Sequence, residues 1–224
     1  MITKKTGIGI GLLLAFVVYV VLLTTVDVAA IGPNGTAVGF SHLNQTVFDA
    51  FGTDEAMYEL TELLGGVSLI TVLMFALLGA IQLIQRKSLF KVDQRLYALA
   101  GLYAATAFFY VLFEKLIINY RPVIMSGETE PEASFPSSHT MLVCVAMEST
   151  ILMLEDYIKP LWLRRILQLV CAMIMVATVI GRLLSGVHWC TDIIGGVLLS
   201  AALLAAFSAI CDGLPGPGQQ AKKE

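Results

Sequence analysis

Long apolar runs separated by short polar stretches dominate the pattern of hydrophobic and polar positions along the chain. A hydrocarbon core about 30 Å thick requires roughly 20 apolar residues of α-helix to cross it. Six runs are close to that length: 8–26, 65–84, 96–118, 138–154, 161–181 and 191–210. The pattern therefore predicts an all-α integral membrane protein, a bundle of six transmembrane helices.

Composition supports the membrane interpretation and limits the number of domains. Of the 224 residues, 57% are hydrophobic and only 14% are charged, which is too apolar for a domain that faces water on all sides. The six runs leave a polar segment at 29–64 and a tail at 214–224 that contains Pro and Gly. We therefore expect one membrane-embedded domain over residues 1–213, followed by a short tail.

The basic residues predict which side of the membrane each connection faces. Placing the N terminus in the cytoplasm puts all but three of the 14 Lys and Arg residues on the inner side, as the positive-inside rule requires. The exceptions, Lys115, Arg121 and Arg182, fall at the outer ends of predicted spans. The first run is long for a signal peptide, so we interpret it as a retained span. We expect a cell-membrane protein with both termini in the cytoplasm.

Charge and cysteine content narrow the classes of function. The formal net charge of −3 and the scattered basic residues argue against a nucleic-acid partner. The four cysteines form no CxxC pair and fall within or at the ends of apolar runs, which favours buried free thiols over metal ligands. We therefore expect membrane lipids and the bilayer as partners, with no metal and no cofactor. The sequence leaves open whether the protein forms a homo-oligomer.

Candidate catalytic side chains converge on the predicted outer face. His139 and His188 fall at outer ends of spans, and so does Asp192. Residues 134–140 read SFPSSHT, in which serines and a proline precede an apolar run, as they do at helix starts. The free backbone N–H groups and the positive dipole end of such a helix bind phosphate readily. Simple capping of the helix is the alternative interpretation.

His188 and Asp192 stand four residues apart and would share one face of a helix. A carboxylate bonded to one imidazole nitrogen sets the tautomer, leaves the other nitrogen free to attack and stabilises positive charge on the ring. Such a pair suits a nucleophile and the residue that orients it. The pattern is common by chance, but its position after Arg182 makes it more specific.

These segments resemble the motifs of the type-2 phosphatidic acid phosphatase superfamily, the lipid phosphate phosphatases. Arg182, His188 and Asp192 match the third motif with the family's spacing. The second motif, usually Pro-Ser-Gly-His, is similar to residues 136–139, which read PSSH. All three motifs follow the family's order within residues 115–192. The resemblance implies a membrane phosphatase with six spans and an active site at the outer face.

The first motif of the family is a Lys followed by Arg-Pro, and it is matched by Lys115 before Arg121-Pro122. The family's Lys stands seven residues before the Arg, where this chain has Glu114. One residue turns a helix by about 100°, so we expect a changed geometry here. A second departure is Ser138, which replaces a glycine that would allow close backbone approach.

The resemblance also implies a division of catalytic roles. His188 attacks phosphorus to form a phosphohistidine, Asp192 orients His188, and His139 protonates the leaving oxygen before it activates water. No metal is required, because cationic side chains take over its charge. The implied phosphate-binding residues are Arg121, Arg182, Lys115, Ser137 and Ser138.

Several substrates and functions are consistent with this resemblance. We expect undecaprenyl diphosphate or a phosphatidyl-type phosphate as the substrate. A lipid phosphotransferase would result if an alcohol intercepted the phosphohistidine. A catalytically silent lipid-binding or transport relative is the other alternative, which the shift to Glu114 permits. Intact His139, His188 and Asp192 favour the enzyme.

Two further features have no place in the catalytic hypothesis. Glu148 lies near the middle of the fourth span, where an ionised carboxylate is costly. We expect it to have a protonated, hydrogen-bonded packing role on the side of the helix opposite His139. The segment 29–64 contains candidate helix starts at Ser41 and Thr53, with apolar side chains that can face lipid. This segment is either a lid over the site or an ordinary connection.

Overall fold

The computed structural model describes residues 4–125 and 127–216, and the chain folds there as a bundle of α-helices. The predicted all-α class is confirmed, since the described residues outside the α-helices form only two short 3₁₀ helices (Pro33–Gly35 and Leu89–Lys91), turns, loops and two isolated bridges. The seven α-helices are α1 Lys4–Thr25, α2 Ser41–Phe51, α3 Glu55–Arg86, α4 Gln94–Lys115, α5 Ser138–Tyr157, α6 Leu161–Leu184 and α7 Cys190–Asp212. Most of the tail predicted at 214–224 lies outside the described residues.

Five of the described helices are long and apolar enough to cross a membrane, namely α1, α3, α4, α6 and α7. Helix α5 is less apolar, because polar and acidic side chains such as Glu148 interrupt its sequence. Half of its 20 residues are nevertheless buried, since α5 packs against α3, α4, α6 and α7. A helix that is surrounded by protein needs no continuous apolar surface toward lipid. Composition therefore supports five of the six predicted spans, and α5 runs beside them as the central helix.

Ion pairs at one end of the bundle join helices that run in opposite directions. Lys5 at the start of α1 lies 2.8 Å from Asp212 at the end of α7. Arg95 at the start of α4 lies 2.7 Å from Asp156 near the end of α5. Helices α1 and α7 are therefore antiparallel, and so are α4 and α5. At 20 residues, α5 is about 30 Å long, which equals the thickness of a hydrocarbon core.

Helix α3 begins earlier than the apolar pattern predicts. The predicted span starts at residue 65, whereas α3 starts at Glu55, where the Asp54 carboxylate accepts a hydrogen bond from the Met57 backbone N–H at 3.0 Å. Such a cap satisfies a free donor at the helix start. The polar residues 55–64 therefore continue the helix beyond the apolar run.

Helix α2 packs the segment 29–64 against the bundle. Asn44 is 1% exposed. Its side-chain amide donates to Thr191 Oγ1 at 2.9 Å, and its oxygen accepts from the Thr191 backbone N–H at 3.3 Å. The Phe48 ring lies 5.7 Å from the Trp189 ring. Helix α2 therefore packs against the start of α7. Its movement as a lid stays a prediction.

The cysteines are free thiols, as the sequence analysis predicted. Cys144 and Cys171 are buried, whereas Cys190 and Cys211 are partly exposed. Glu148 is half-buried on α5 and close enough to Cys144 and Cys171 to interact electrostatically with both thiols. Its hydrogen-bonded packing role stays a prediction.

A glycine on α7 allows the loop before α5 to pack closely. A Cβ atom built on Gly195 would lie 2.3 Å from the Phe135 ring. Phe135 also packs against Phe16 of α1 and Phe113 of α4, with ring centroids 6.0 and 5.6 Å apart. This aromatic cluster joins three elements to α7, and the missing side chain at Gly195 sets how close they come.

We predict that Gly195→Ala destabilises the protein, because the new methyl group overlaps the Phe135 ring. Overpacking of this kind costs about 1–3 kcal/mol, which is measurable as a lower midpoint of thermal unfolding in detergent. Gly101→Ala in α4 is the matched control, because a Cβ atom there meets nothing within 4 Å. Equal midpoints for the two variants would contradict the close contact.

Candidate active site

Several helix ends meet at the end of the bundle opposite Lys5 and Asp212. They are the start of α3, the loop between α4 and α5, the start of α5, the end of α6 and the start of α7. These elements bring together most of the side chains that the motifs identified: His139, Arg182, His188, Asp192, Arg121, Ser137 and Ser138. The fold thus assembles one polar site from distant parts of the chain.

Asp192 is fully buried and held by hydrogen bonds. Its side chain is 0% exposed. Oδ1 accepts from Asn119 Nδ2 at 2.9 Å, and Oδ2 accepts from the Trp189 backbone N–H at 3.0 Å. Trp189 in turn donates its indole N–H to the Tyr120 carbonyl at 2.8 Å. Donors from two loops therefore fix the carboxylate and compensate for the water that it loses on burial.

His188 is not on the same helix as Asp192, so the predicted placement of both on one helical face is wrong. Helix α7 begins at Cys190 with Trp189 as its N-cap, and Gly186 turns the preceding loop with a φ of 66°. His188 therefore lies before the helix. Its Nδ1 is 4.0 Å from Asp192 Oδ2, which is longer than a hydrogen bond, because the carboxylate turns back to cap the helix start.

The His188 imidazole is buried and chemically available. Neither ring nitrogen makes an aligned hydrogen bond to any residue that the structure describes. Burial lowers the pKa of His188 well below its usual value. The positive charges of Arg121 and Arg182 and the neighbouring His139 lower it further, and the Ser134 backbone acts in the opposite direction. His188 is therefore neutral near pH 7, the form that acts as a nucleophile.

Arg182 determines which nitrogen of His139 carries a proton. Arg182 Nη2 lies 2.9 Å from His139 Nδ1. A guanidinium group can only donate, so Nδ1 accepts and the neutral ring carries its proton on Nε2. Nε2 lies 3.2 Å from Glu62 Oε1 on α3. The His139 proton is therefore held toward α3 by a carboxylate.

The Arg182 side chain is 0% exposed, and α3 supplies its other partners. Nη1 donates to Thr61 Oγ1 at 3.0 Å and to Glu62 Oε1 at 3.1 Å. The guanidinium lies over the Tyr58 ring, 5.4 Å from its centroid, in a cation–π arrangement. The sequence alone did not identify these partners of Arg182, because they lie in the segment 29–64, which was interpreted as a lid or a connection between spans. The capping signal at Asp54 was the indication that a helix continues over them.

Ser137 and Ser138 form the start of α5. The Ser137 hydroxyl is buried and accepts from the Thr140 backbone N–H at 3.4 Å, so it caps the helix. The Ser137 hydroxyl therefore has the capping role that was the alternative interpretation of this segment. The start of α5 nevertheless faces the site. Ser138 lines the cavities next to His139 and His188.

Arg121 and Glu114 line a small cavity at the site, whereas Lys115 lines neither of the two cavities there. Arg121 Nε lies 3.0 Å from Glu132 Oε2, and one small cavity is lined by Arg121, Glu114 and His188 among others. Lys115 is exposed and lines neither this cavity nor the larger one described next. A helical rotation of about 100° separates it from Glu114. The phosphate-binding role of Lys115 stays a prediction.

An apolar cavity of about 640 Å³ opens beside His139, between α3, α4 and α5. Glu62 and His139 lie at its polar end. Apolar side chains line most of the rest, including Leu69, Val72, Leu142 and Val145. Tyr110 and Ser138 line both this cavity and the small one at His188, so the two cavities are adjacent. A lipid chain in the larger cavity would have its polar end near the histidines.

The fold and the site together define a class of protein. A neutral buried histidine beside a carboxylate, with a second histidine and two arginines, is suited to transfer a phosphoryl group at the end of a membrane helix bundle. A family model of the PAP2 superfamily matches residues 95–213, more than half of the chain. The chain belongs to the PAP2 superfamily, a family of phosphatases, and the resemblance seen in the motifs is confirmed.

The fold has a counterpart among solved structures. The crystal structure of a transmembrane PAP2 type phosphatidylglycerolphosphate phosphatase from Bacillus subtilis superposes with a TM-score of 0.65, covering 92% of this chain and 97% of that chain. Sequence identity is 19%, so the likeness shows a shared transmembrane fold. No curated protein sequence matches the chain significantly.

We predict that the acidic limb of the kcat/KM profile lies below pH 6.5, because the pKa of His188 is lowered and its neutral form is the nucleophile. Arg121→Gln is expected to move this limb to higher pH, since the Arg121 charge contributes to the lowering. Arg164→Gln, at the opposite end of α6, is the control and should leave the limb in place. An unmoved limb in Arg121→Gln would show that another group controls it.

We predict that Asn119→Leu lowers kcat about 10- to 100-fold, because it removes a hydrogen bond to a buried charge that is worth about 1.5–3 kcal/mol. Asn119 is 1% exposed and donates to Asp192. Gln45→Leu is the matched control, because Gln45 is a helical amide that donates to the exposed Asp49 carboxylate. Steady-state kinetics on both variants, with thermal unfolding to verify folding, test the role. Wild-type kcat in a folded Asn119→Leu protein would refute it.

Proposed function

We propose that this protein is a lipid phosphate phosphatase that transfers the phosphoryl group of a membrane lipid to His188 and then to water. The observation that carries the proposal is the buried His188, whose ring nitrogens lack aligned hydrogen-bond partners among the described residues. His188 and Arg121 both line the small cavity at the site. An unpaired buried polar group is costly, and such groups occur where a reaction requires them.

In the first step, His188 Nε2 attacks phosphorus, because Nδ1 faces Asp192. The new N–P bond forms as the bond from phosphorus to the lipid oxygen breaks. Asp192 approaches from 4.0 Å and stabilises the positive charge on the ring. The lipid leaves as an alcohol, or as a lipid monophosphate if the substrate is a diphosphate.

His139 supplies the proton for the leaving oxygen. With Arg182 donating to Nδ1, the ring is neutral, and a neutral imidazole is a poor acid. When the phosphate group takes the hydrogen bond of Arg182 Nη2, Nδ1 is free to take up a proton from solvent, and the doubly protonated ring donates its Nε2 proton. Nε2 then accepts a proton from water, which attacks the phosphohistidine and releases phosphate from His188.

Arg121 and Arg182 supply the positive charge at the phosphoryl oxygens. These cations can stabilise the negative charge that builds up on the phosphoryl oxygens without a metal ion. Metal independence is therefore part of the proposal. Ser138 and the start of α5 add backbone N–H donors to the same place. The Lys115 side chain has no role in this scheme.

A substrate with long apolar chains fits the larger cavity, whose lining is mainly hydrophobic. We therefore propose a phosphatidyl-type phosphate or undecaprenyl diphosphate. The similar solved structure is that of a phosphatidylglycerolphosphate phosphatase, which favours a terminal phosphate on a glycerol lipid as the first substrate to test.

We also propose six membrane spans with the site at the outer face of the cell membrane. The opposite directions of α4 and α5 and the length of α5 support the sixth span. The distribution of basic residues supports the orientation, because the connections at the end opposite the site carry most of them.

The decisive experiment measures phosphate release by the purified protein in detergent from three lipids: phosphatidylglycerol phosphate, phosphatidic acid and undecaprenyl diphosphate. We expect turnover of at least one, unchanged by EDTA, and a loss of about 10³-fold or more in His188→Ala. His42→Ala is the matched control, since His42 is exposed and pairs with Asp27 away from the site. Full activity of folded His188→Ala would refute the proposal, and a phosphorylated alcohol as the main product would identify a phosphotransferase.

A further inference from the structure

A carboxylate occupies the partners that the proposed mechanism assigns to phosphate. Glu62 Oε1 lies 3.1 Å from Arg182 Nη1 and 3.2 Å from His139 Nε2. One carboxylate oxygen therefore bridges the phosphate-binding arginine and the nitrogen that protonates the leaving oxygen. A phosphoryl oxygen is likewise negatively charged and accepts hydrogen bonds, so it can take the place of this carboxylate oxygen.

The two sides of this bridge differ in their freedom to move. The Arg182 side chain is 0% exposed and held by Thr61 and by the Tyr58 ring. The Glu62 side chain is 41% exposed and lines the large cavity. An incoming anion can therefore displace Glu62 toward the cavity more easily than it can move Arg182.

The backbone of α3 keeps Glu62 at this position. A Cβ atom on Gly65, one turn further along α3, would lie only 2.8 Å from His139 Cδ2. A Cβ atom on Gly181 would lie 2.6 Å from Thr61 Cγ2. Helix α3 thus packs closely against both the His139 and Arg182 regions, and the bridge depends on this contact.

We propose that Glu62 is an internal competitor of the phosphate group, a carboxylate that every phosphate must displace from Arg182 and His139. The proposal rests on the proposed function for the identity of the ligand. Its consequence is a lower affinity for all phosphate-containing ligands. The free phosphate product then leaves readily, and the phosphodiester headgroups of the surrounding bilayer bind weakly, although they are abundant.

The second arginine has a similar arrangement, which supports this interpretation. Arg121 Nε lies 3.0 Å from Glu132 Oε2, and the Glu132 side chain is 44% exposed. Arg121 itself is only 15% exposed. In both pairs the arginine is the buried partner and the carboxylate is the exposed one. Both cations that the mechanism uses are therefore paired with displaceable anions.

The test is direct binding of inorganic phosphate to the purified full-length protein in detergent, measured by calorimetry. Glu62→Gln keeps the shape of the side chain and removes its charge, so we expect the dissociation constant for phosphate to fall about tenfold, the scale of one partly screened charge interaction. Dimethyl phosphate, a soluble phosphodiester, should bind more tightly by a similar factor. Glu62→Ala should change both constants in the same direction.

Glu59→Gln is the matched control, because Glu59 is an exposed carboxylate on the same helix, one turn before Glu62. Weaker or unchanged phosphate binding in both Glu62 variants would overturn the proposal and identify Glu62 as a support for Arg182. A fall in kcat with unchanged phosphate binding would also overturn it. If the wild-type protein binds no phosphate and hydrolyses no lipid phosphate, the proposed function itself fails.

Discussion

Two fully buried ionic side chains, Arg182 and Asp192, constrain the whole site end of the bundle. An ion without water is costly unless other groups replace its hydrogen bonds. For Asp192 the replacements come from Asn119 and the Trp189 backbone, and for Arg182 they come from α3 and His139. Each replacement belongs to a different element, so the helices and loops must take up their native arrangement for either charge to be buried.

The position of α5 follows from the same need for polar partners. Helix α5 carries His139 at its start and polar side chains along its length, which lipid would not tolerate on an exposed surface. Surrounded by α3, α4, α6 and α7, it presents these groups to protein. The helix that carries the second histidine is therefore the least apolar of the long helices and also the most enclosed.

The two histidines differ in their surroundings, and the roles proposed for them follow from that difference. His188 lies in a loop where it has lost water without gaining an aligned partner among the described residues, and nearby arginines keep it neutral. His139 has partners on both nitrogens. The first arrangement leaves a nitrogen lone pair available for attack, and the second sets the location of a proton. The proposed division into nucleophile and acid–base residue follows from this difference.

The sequence alone determined the all-α membrane class, the approximate positions of the long helices and the main motif residues, because apolar run length and motif order are properties of consecutive positions. It also indicated that Glu114 stands where the family has its lysine, and Glu114 lines the small cavity at His188. Only the tertiary structure decided that Glu62 bridges Arg182 and His139 and that Asn119 holds Asp192. Those contacts join elements far apart in the chain and depend on helix rotation and close packing at glycines, which no local pattern specifies.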